Sequence, residues 1–335
     1  MVLKTQYYLP IISVYHRYKQ LGIWVIMLLA YVFIAYKFAT FTEYHHLAQQ
    51  WQSIPFTQFW YLFFVLALLP INLFLEAYKW KLLTANFEIL SFSKSFRAVL
   101  AGIYTGFFTP NRVGEMVGRW AYLTPQNRKY GVTMTVVSGV TQNIIMLLCG
   151  LPAGILFFFC TNLELSHSPY SYFAILLLLL CSLILLYFAL PHLGKKWKEK
   201  SFNNSVSSYI SCLSNFSSTD LLGILSVSLF RYTVFCIQFF FLLHFFGVHL
   251  ELWQALLAIP ANYLLVTFTP SVALSEAAIR SSYAVIFVGA YSHNVVGIAL
   301  AGFFIWVINF TFPLLAGSVL YFNYNSKMVA KKMAS

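Results

Sequence analysis

Two charged breaks in the apolar sequence contain the residues best suited to chemistry. The first is Phe-Thr-Pro at 108–110 followed by Glu115 and Arg119, and the second is Phe-Thr-Pro at 268–270 followed by Glu276 and Arg280. In each break the Glu and the Arg are four residues apart, so on a helix they are neighbours on one face. The same arrangement in both halves of the chain predicts two related helical hairpins that carry charges.

The turn of the first break is suited to binding an anion. Asn111 and Arg112 lie between Pro110, which fixes φ, and Gly114, which permits a close backbone approach. A guanidinium such as that of Arg112 matches a phosphate with two parallel donors, and the N-terminus of the following helix arm favours negative charge. The residues predicted to bind a substrate are Arg112, Glu115, Arg119, Glu276, Arg280, Asn111 and Arg231.

Simpler roles for these charges remain open at this point. Each Glu–Arg pair could serve only to lock its hairpin, and Arg280 could lie close to the outer interface. Arg231 could line a cavity or lie near the cytoplasmic boundary. Glu76 and Lys79, at the end of an apolar run, are interpreted as boundary residues, with contact to the mouth of the cavity as the alternative.

Composition identifies a membrane protein. The chain has 335 residues, of which 60% are hydrophobic and only 9% are charged, whereas soluble domains carry about 25% charged residues. Several apolar runs are long enough to cross a bilayer as helices. The formal net charge of +12 is attributed to basic cytoplasmic loops rather than to nucleic-acid binding.

The apolar runs predict an all-α polytopic protein with about six full transmembrane helices and two re-entrant helical hairpins. The full spans are expected near 22–41, 58–76, 132–159, 171–190, 221–246 and 296–322, and the broken segments near 97–124 and 254–290. The first run is too long for a cleaved signal peptide. A hydrophilic stretch at 191–220 is expected to connect the halves along the membrane surface. An alternative with eight or more full spans is also consistent with the sequence.

The loop charges predict an inverted repeat. Lys and Arg occur in the loops after alternate spans and are absent from those near 42–57, 160–170, 247–253 and 291–295. This pattern places both termini in the cytoplasm, and it opens the first hairpin to the cytoplasm and the second to the outside. The chain is therefore one transmembrane domain, 1–335, in which a first repeat, 1–165, is followed by an inverted second repeat, 166–335. In such folds broken helices meet near the midplane of the bilayer and form the substrate site.

No catalytic constellation, metal site or cofactor is predicted. The eight histidines do not converge, the five cysteines are scattered singly, and the sequence has no metalloprotease, hydrolase or phosphate-loop motif.

The residues 109–115 with Arg119 resemble the P-x-R-x-G-E-x-x-x-R motif of the lysylphosphatidylglycerol synthase/flippase transmembrane family. Residues 77–83 resemble the basic-Trp-x-Leu-Leu segment of that family, and 270–276 resemble its second motif, although Val272, Ala273 and Leu274 replace the usual glycines. The resemblance covers nearly the whole chain and implies a flippase-like protein. Some members carry a soluble aminoacyl-transferase domain after this region, and we expect none here.

The leading hypothesis is a lipid translocase that moves a phospholipid or an aminoacylated lipid headgroup through a polar cavity at the midplane. The resemblance implies a bacterial cytoplasmic (inner) membrane and a phospholipid or aminoacyl-phospholipid partner; no nucleic acid is expected, and a homodimer is left open. An intramembrane enzyme that modifies headgroups and a non-catalytic assembly protein are the alternatives.

Overall fold

The computed structural model describes residues 55–161, 169–200, 209–271 and 273–320. The chain divides into two units, Met1–Ser53 and Ile54–Ser335, and every described residue belongs to the second. The predicted first span, 22–41, lies outside the described residues. Within the described part the regular structure is helical throughout and includes no strand, as predicted for an all-α membrane protein.

The helices follow the chain in a simple order. They are α1 (Phe59–Thr84), α2 (Phe92–Phe107), α3 (Glu115–Trp120), α4 (Arg128–Cys160), α5 (Pro169–Phe188), α6 (Leu190–Lys200), α7 (Ser218–Phe245), α8 (Leu252–Phe268), α9 (Ala273–Val288) and α10 (Val295–Trp306). After α10 a π-helical turn, Val307–Thr311, leads into a helix that continues to Leu320.

Four helical stretches of the described residues are long and apolar enough to span a bilayer, and they match predicted spans. They are Phe56–Thr84, Pro125–Cys160, Ser218–Phe245 and Val295–Leu320. A fifth predicted span corresponds to α5, which is bent by 49° from α6 at a short break. The polytopic architecture predicted from the sequence is therefore confirmed.

α1 runs two turns beyond the predicted boundary at 76. Ala77, Trp80 and Leu83 recur every third residue, and all three are fully buried in the core. This apolar stripe continues the helix to Thr84, because burial of a stripe stabilises a helix more than local propensity does. Glu76 and Lys79 are consequently inside the packed helix, and their interpretation as boundary residues is wrong.

The first break forms a hairpin. α2 ends at Phe107, a 3₁₀ turn covers Pro110–Arg112, and the short helix α3 returns along α2. The Thr105 hydroxyl donates to the Gly114 carbonyl at 2.7 Å and accepts from the Gly118 amide at 3.1 Å. A Cβ at Gly118 would clash with the Ala101 carbonyl. Glycine is therefore required where the two arms approach most closely.

The second break separates α8 from α9. The α8 helix ends at Phe268, and Thr269 beyond it has an extended backbone. The hydroxyls of Thr269 and Tyr283 are 2.9 Å apart and join the two arms. The two arms, α8 and α9, are of similar length, with 17 and 16 residues, whereas α3 in the first hairpin has only six.

Two glycines allow helices from the two halves of the chain to pack closely. A Cβ at Gly150 of α4 would clash with Pro260 and Leu264 of α8, and one at Gly317 would clash with Leu100 of α2 and approach Tyr104. Residues 260 and 264 follow 100 and 104 by 160 positions, the same offset that separates Asn111 from Ser271. Gly150 of α4 therefore packs against two residues of α8, and Gly317 packs against two residues of α2 that precede those of α8 by 160 positions.

Candidate functional site

The tips of the two hairpins contact each other. The backbone amide of Asn111 donates to the carbonyl of Ser271 at 3.0 Å, and the amide of Ser271 donates to Oδ1 of Asn111 at 3.0 Å. The two charged breaks predicted from the sequence are thus brought together although 160 residues separate them.

The backbone at the first tip has an unusual conformation. Asn111 and Arg112 have φ angles of 49° and 57°, in the left-handed region. Asn tolerates this region because its side chain can bond locally. Arg rarely adopts it, and such outliers concentrate at functional sites.

Arg112 reaches across to the second hairpin. Its Nη2 is 2.6 Å from Oε2 of Glu276, while Oε1 of Glu276 is 2.6 Å from Nη2 of Arg280. Both oxygens of this carboxylate therefore face guanidinium groups. The guanidinium of Arg112 also lies 4.5 Å from the centre of the Phe310 ring, close enough for a cation–π contact.

Glu76 is the centre of a second group of charges. Its Oε1 is 2.8 Å from Nη2 of Arg119, and its Oε2 is 3.0 Å from both Nζ of Lys79 and Nη1 of Arg231. Arg119 also pairs with Glu115 at 2.8 Å. These contacts connect α1, α3 and α7 through side chains that are largely removed from solvent.

The two groups adjoin at the first hairpin. A Cβ placed on Gly106 would lie 2.7 Å from Cγ of Glu115 and 3.4 Å from Cβ of Arg112. We refer to all eight side chains as the charge cluster: Glu76, Lys79, Arg112, Glu115, Arg119, Arg231, Glu276 and Arg280. Arg231 lies near the middle of α7, which has 28 residues, so the cluster lies well away from the ends of this membrane-spanning helix.

Amide side chains extend the cluster on one side. Arg231 donates from Nε to Oδ1 of Asn72 at 2.8 Å and from Nη1 to Oε1 of Gln142 at 3.5 Å. Asn72 in turn donates to Oδ1 of Asn309 at 3.0 Å. Asn309 and Phe310 both lie in the π-helical turn, and such turns are frequent at functional sites.

The seven residues predicted to bind a substrate all lie in this region. Six belong to the charge cluster, and Asn111 joins the hairpin tips. Arg231 is in the cluster rather than at a helix end, and Arg280 is tied to Glu276. The sequence prediction did not include Glu76 and Lys79 among the site residues. It also did not include the polar or aromatic side chains that adjoin the cluster, which are those of Asn72, Gln142, Asn309 and Phe310.

A signal for Glu76 is present in the sequence. It is a carboxylate inside a run of apolar residues, followed three residues later by Lys79, and charges inside membrane spans commonly mark function. Nothing comparable identifies Phe310, because it is one of 34 phenylalanines. Among the described residues no three His, Cys, Asp or Glu side chains are grouped as metal ligands.

Comparison with known proteins agrees with this architecture at the family level. A family model described as the lysylphosphatidylglycerol synthase TM region matches residues 20–317. No curated protein and no solved structure matches the chain. The match includes both hairpins and the whole charge cluster, and the chain belongs to the lysylphosphatidylglycerol synthase transmembrane-region family.

Proposed function

We propose that the protein is a lipid translocase, which moves the headgroup of a phospholipid or an aminoacylated lipid past the charge cluster while the acyl chains remain in the bilayer. The observation that carries this proposal is the cluster itself. It contains five basic and three acidic side chains, a formal net charge of +2. A phosphate is an anion that such a site would bind.

Arg112 is assigned the role of binding the phosphate of the lipid headgroup. Its side chain is 35% exposed, the highest value of the ion-paired arginines in the cluster. It is held by one carboxylate, Glu276, which keeps Arg280 as a second partner. A phosphate can therefore replace Glu276 at Arg112 without leaving an unpaired carboxylate.

Arg119 is assigned a positioning role. Its side chain is only 4% exposed and it pairs with both Glu76 and Glu115. These pairs hold α3 against α1, so Arg119 and Glu115 orient the turn that carries Arg112.

Transport is proposed to proceed by rocking of two inverted repeats, 1–165 and 166–335, in a bacterial cytoplasmic membrane with both termini in the cytoplasm. The equivalent contacts at Gly150 and Gly317 support this symmetry, as do the mutual hydrogen bonds of Asn111 and Ser271. Residues on a two-fold axis are expected to contact their own equivalents.

The first test replaces Arg112. In liposomes with acyl-labelled phospholipid, Arg112→Ala should reduce the rate of lipid movement at least about tenfold, because hydrogen bonds to a charged group contribute about 1.5–3 kcal/mol each. Arg112→Lys should recover only part of the rate, since an ammonium lacks the two-donor fork. The rate of lipid movement is measured as the rate at which the labelled lipid becomes accessible to a membrane-impermeant quencher.

The matched control is Arg97→Ala. Arg97 is an exposed arginine of α2 whose hydrogen bonds within the described part of the chain go to Ser93 of the same helix, and its loss should leave transport unchanged. Both variants should have unfolding temperatures within about 4 °C of that of the unmodified protein, because a small change in the free energy of unfolding shifts this temperature only slightly. A folded Arg112→Ala protein with undiminished transport contradicts the assignment, and chemical change of the lipid during the assay would favour an enzyme.

A further inference from the structure

We infer that the transported headgroup carries a net negative charge and no free amine. This inference rests on the proposed translocase function and narrows its substrate to anionic lipids, thereby setting aside the aminoacylated alternative. Its basis is the way in which the three carboxylates of the charge cluster are already used.

Each carboxylate has cationic partners from the protein. Glu276 uses one oxygen for Arg112 and the other for Arg280. Glu76 is surrounded by three basic groups across both oxygens. Glu115 uses one oxygen for Arg119. At Glu76 and Glu276 a lipid amine would therefore have to displace a guanidinium or an ammonium, and a displaced buried cation is costly.

The neutral acceptors beside the cluster are also occupied by protein donors. Oδ1 of Asn72 and Oε1 of Gln142 both accept from Arg231, and Oδ1 of Asn309 accepts from Asn72. An aminoacyl group entering the cluster would meet three partly exposed cationic side chains, Arg112, Arg231 and Arg280.

Acidic residues elsewhere do not neutralise the excess charge. Within the part of the chain whose side chains are described, Glu88 pairs with Lys94, Asp220 caps α7 and Glu251 caps α8. The formal charge of +2 is therefore not balanced by these groups. A phosphodiester supplies one negative charge and a phosphomonoester supplies up to two.

Donors remain for such an anion. Arg112, Arg231 and Arg280 are 20–35% exposed and keep further guanidinium protons. Spare guanidinium donors and an excess of two positive charges favour an anion over a cation.

The test compares headgroups in one assay. Liposomes containing the full-length protein would carry acyl-labelled phosphatidate, phosphatidylglycerol, phosphatidylethanolamine or lysylphosphatidylglycerol. Phosphatidate and phosphatidylglycerol should move at least about ten times faster than lysylphosphatidylglycerol, because unlike and like charges interact strongly at low dielectric constant. Phosphatidylethanolamine should be intermediate.

A charge variant tests the cause of this selectivity. Arg231→Gln removes one positive charge, and Glu76 keeps Lys79 and Arg119 as partners. The ratio of anionic to cationic lipid transport should fall at least about threefold, whereas Arg97→Gln on the exposed face of α2 should leave it unchanged. Arg280→Gln is the second variant and should lower the ratio in the same direction.

The outcomes separate this inference from the proposed function. Equal or faster movement of lysylphosphatidylglycerol overturns the inference and leaves the translocase function intact. If no lipid moves, the translocase function itself fails, and the inference with it. Uptake of free glycerol phosphate into the same liposomes without movement of lipid would assign the site to a soluble anion and overturn both.

Discussion

At the scale of single residues, Arg112 combines an unfavourable backbone conformation with side-chain contacts that stabilise it. A left-handed backbone costs an L-residue roughly 1–2 kcal/mol, and its φ is 57°. The ion pair with Glu276 and the contact with the Phe310 ring stabilise this conformation. A ligand that binds the Arg112 guanidinium in place of Glu276 would remove part of that stabilisation, so the proposed binding would be coupled to the conformation of the turn.

Glu88 lies outside the membrane-spanning segments, and its contacts have a structural role. It accepts hydrogen bonds from the Thr124 amide and hydroxyl and from Asn127, and it pairs with Lys94. Burial favours the neutral acid, but these donors outweigh it and lower the pKa of Glu88. The contacts fasten the loop after α1 to the turn before α4.

The pH dependence of stability follows from that lowered pKa. The stabilising contribution should be complete above the ordinary Glu pKa of about 4.3 and should be lost as the pH falls through the lower pKa of the folded state. Glu88→Gln should reduce stability at pH 7 by about 1–2 kcal/mol, with the difference from the unmodified protein shrinking below about pH 4. Thermal unfolding of both proteins across pH measures this, and a constant difference would contradict it.

At the scale of helices and hairpins, local pairs could be predicted from the sequence and distant ones could not. The pairs of Glu115 with Arg119 and of Glu276 with Arg280 follow from a spacing of four, which depends only on helix geometry. The contact between Arg112 and Glu276 spans 164 residues, and it depends on how the hairpins meet. The extension of α1 was missed because its buried stripe packs against helices distant in sequence.

The paired tips suggest a direct test of whether the hairpins separate during transport. Asn111→Cys with Ser271→Cys should form a disulfide on oxidation, because their backbones are hydrogen-bonded at 3.0 Å. If rocking parts the tips, the cross-link should stop lipid transport and a reductant should restore it. The background should lack the native free cysteines, which are Cys149, Cys160, Cys181, Cys212 and Cys236.

The single-cysteine variants are the controls for this experiment. Each one alone should transport lipid equally with and without oxidant. A fully cross-linked double variant that transports at the unmodified rate would show that the tips stay together, and the cluster would then have to open elsewhere.

At the scale of the whole molecule, the long helices α1 and α7, one from each half of the chain, run in opposite directions. Asn72 of α1 contacts Arg231 of α7, and Gln238 of α7 donates to the Val65 carbonyl at 2.9 Å. The residue numbers rise along one helix as they fall along the other, so α1 and α7 are antiparallel. The charge cluster lies where these two helices and the two hairpins converge, so each half of the chain contributes part of the proposed anion site.

The proposed inversion predicts that equivalent ends of the hairpins open on opposite sides of the membrane. Ser93 at the start of α2 and Trp253 at the start of α8 are both exposed and are related by the offset of 160. In the cysteine-free background, Trp253→Cys should react with an impermeant thiol reagent added outside intact cells, and Ser93→Cys should not. This follows from Lys94 and Arg97 beside the first site and the loop without Lys or Arg before the second. Both should react after permeabilisation, which controls for access, and labelling of both from one side would contradict an inverted repeat.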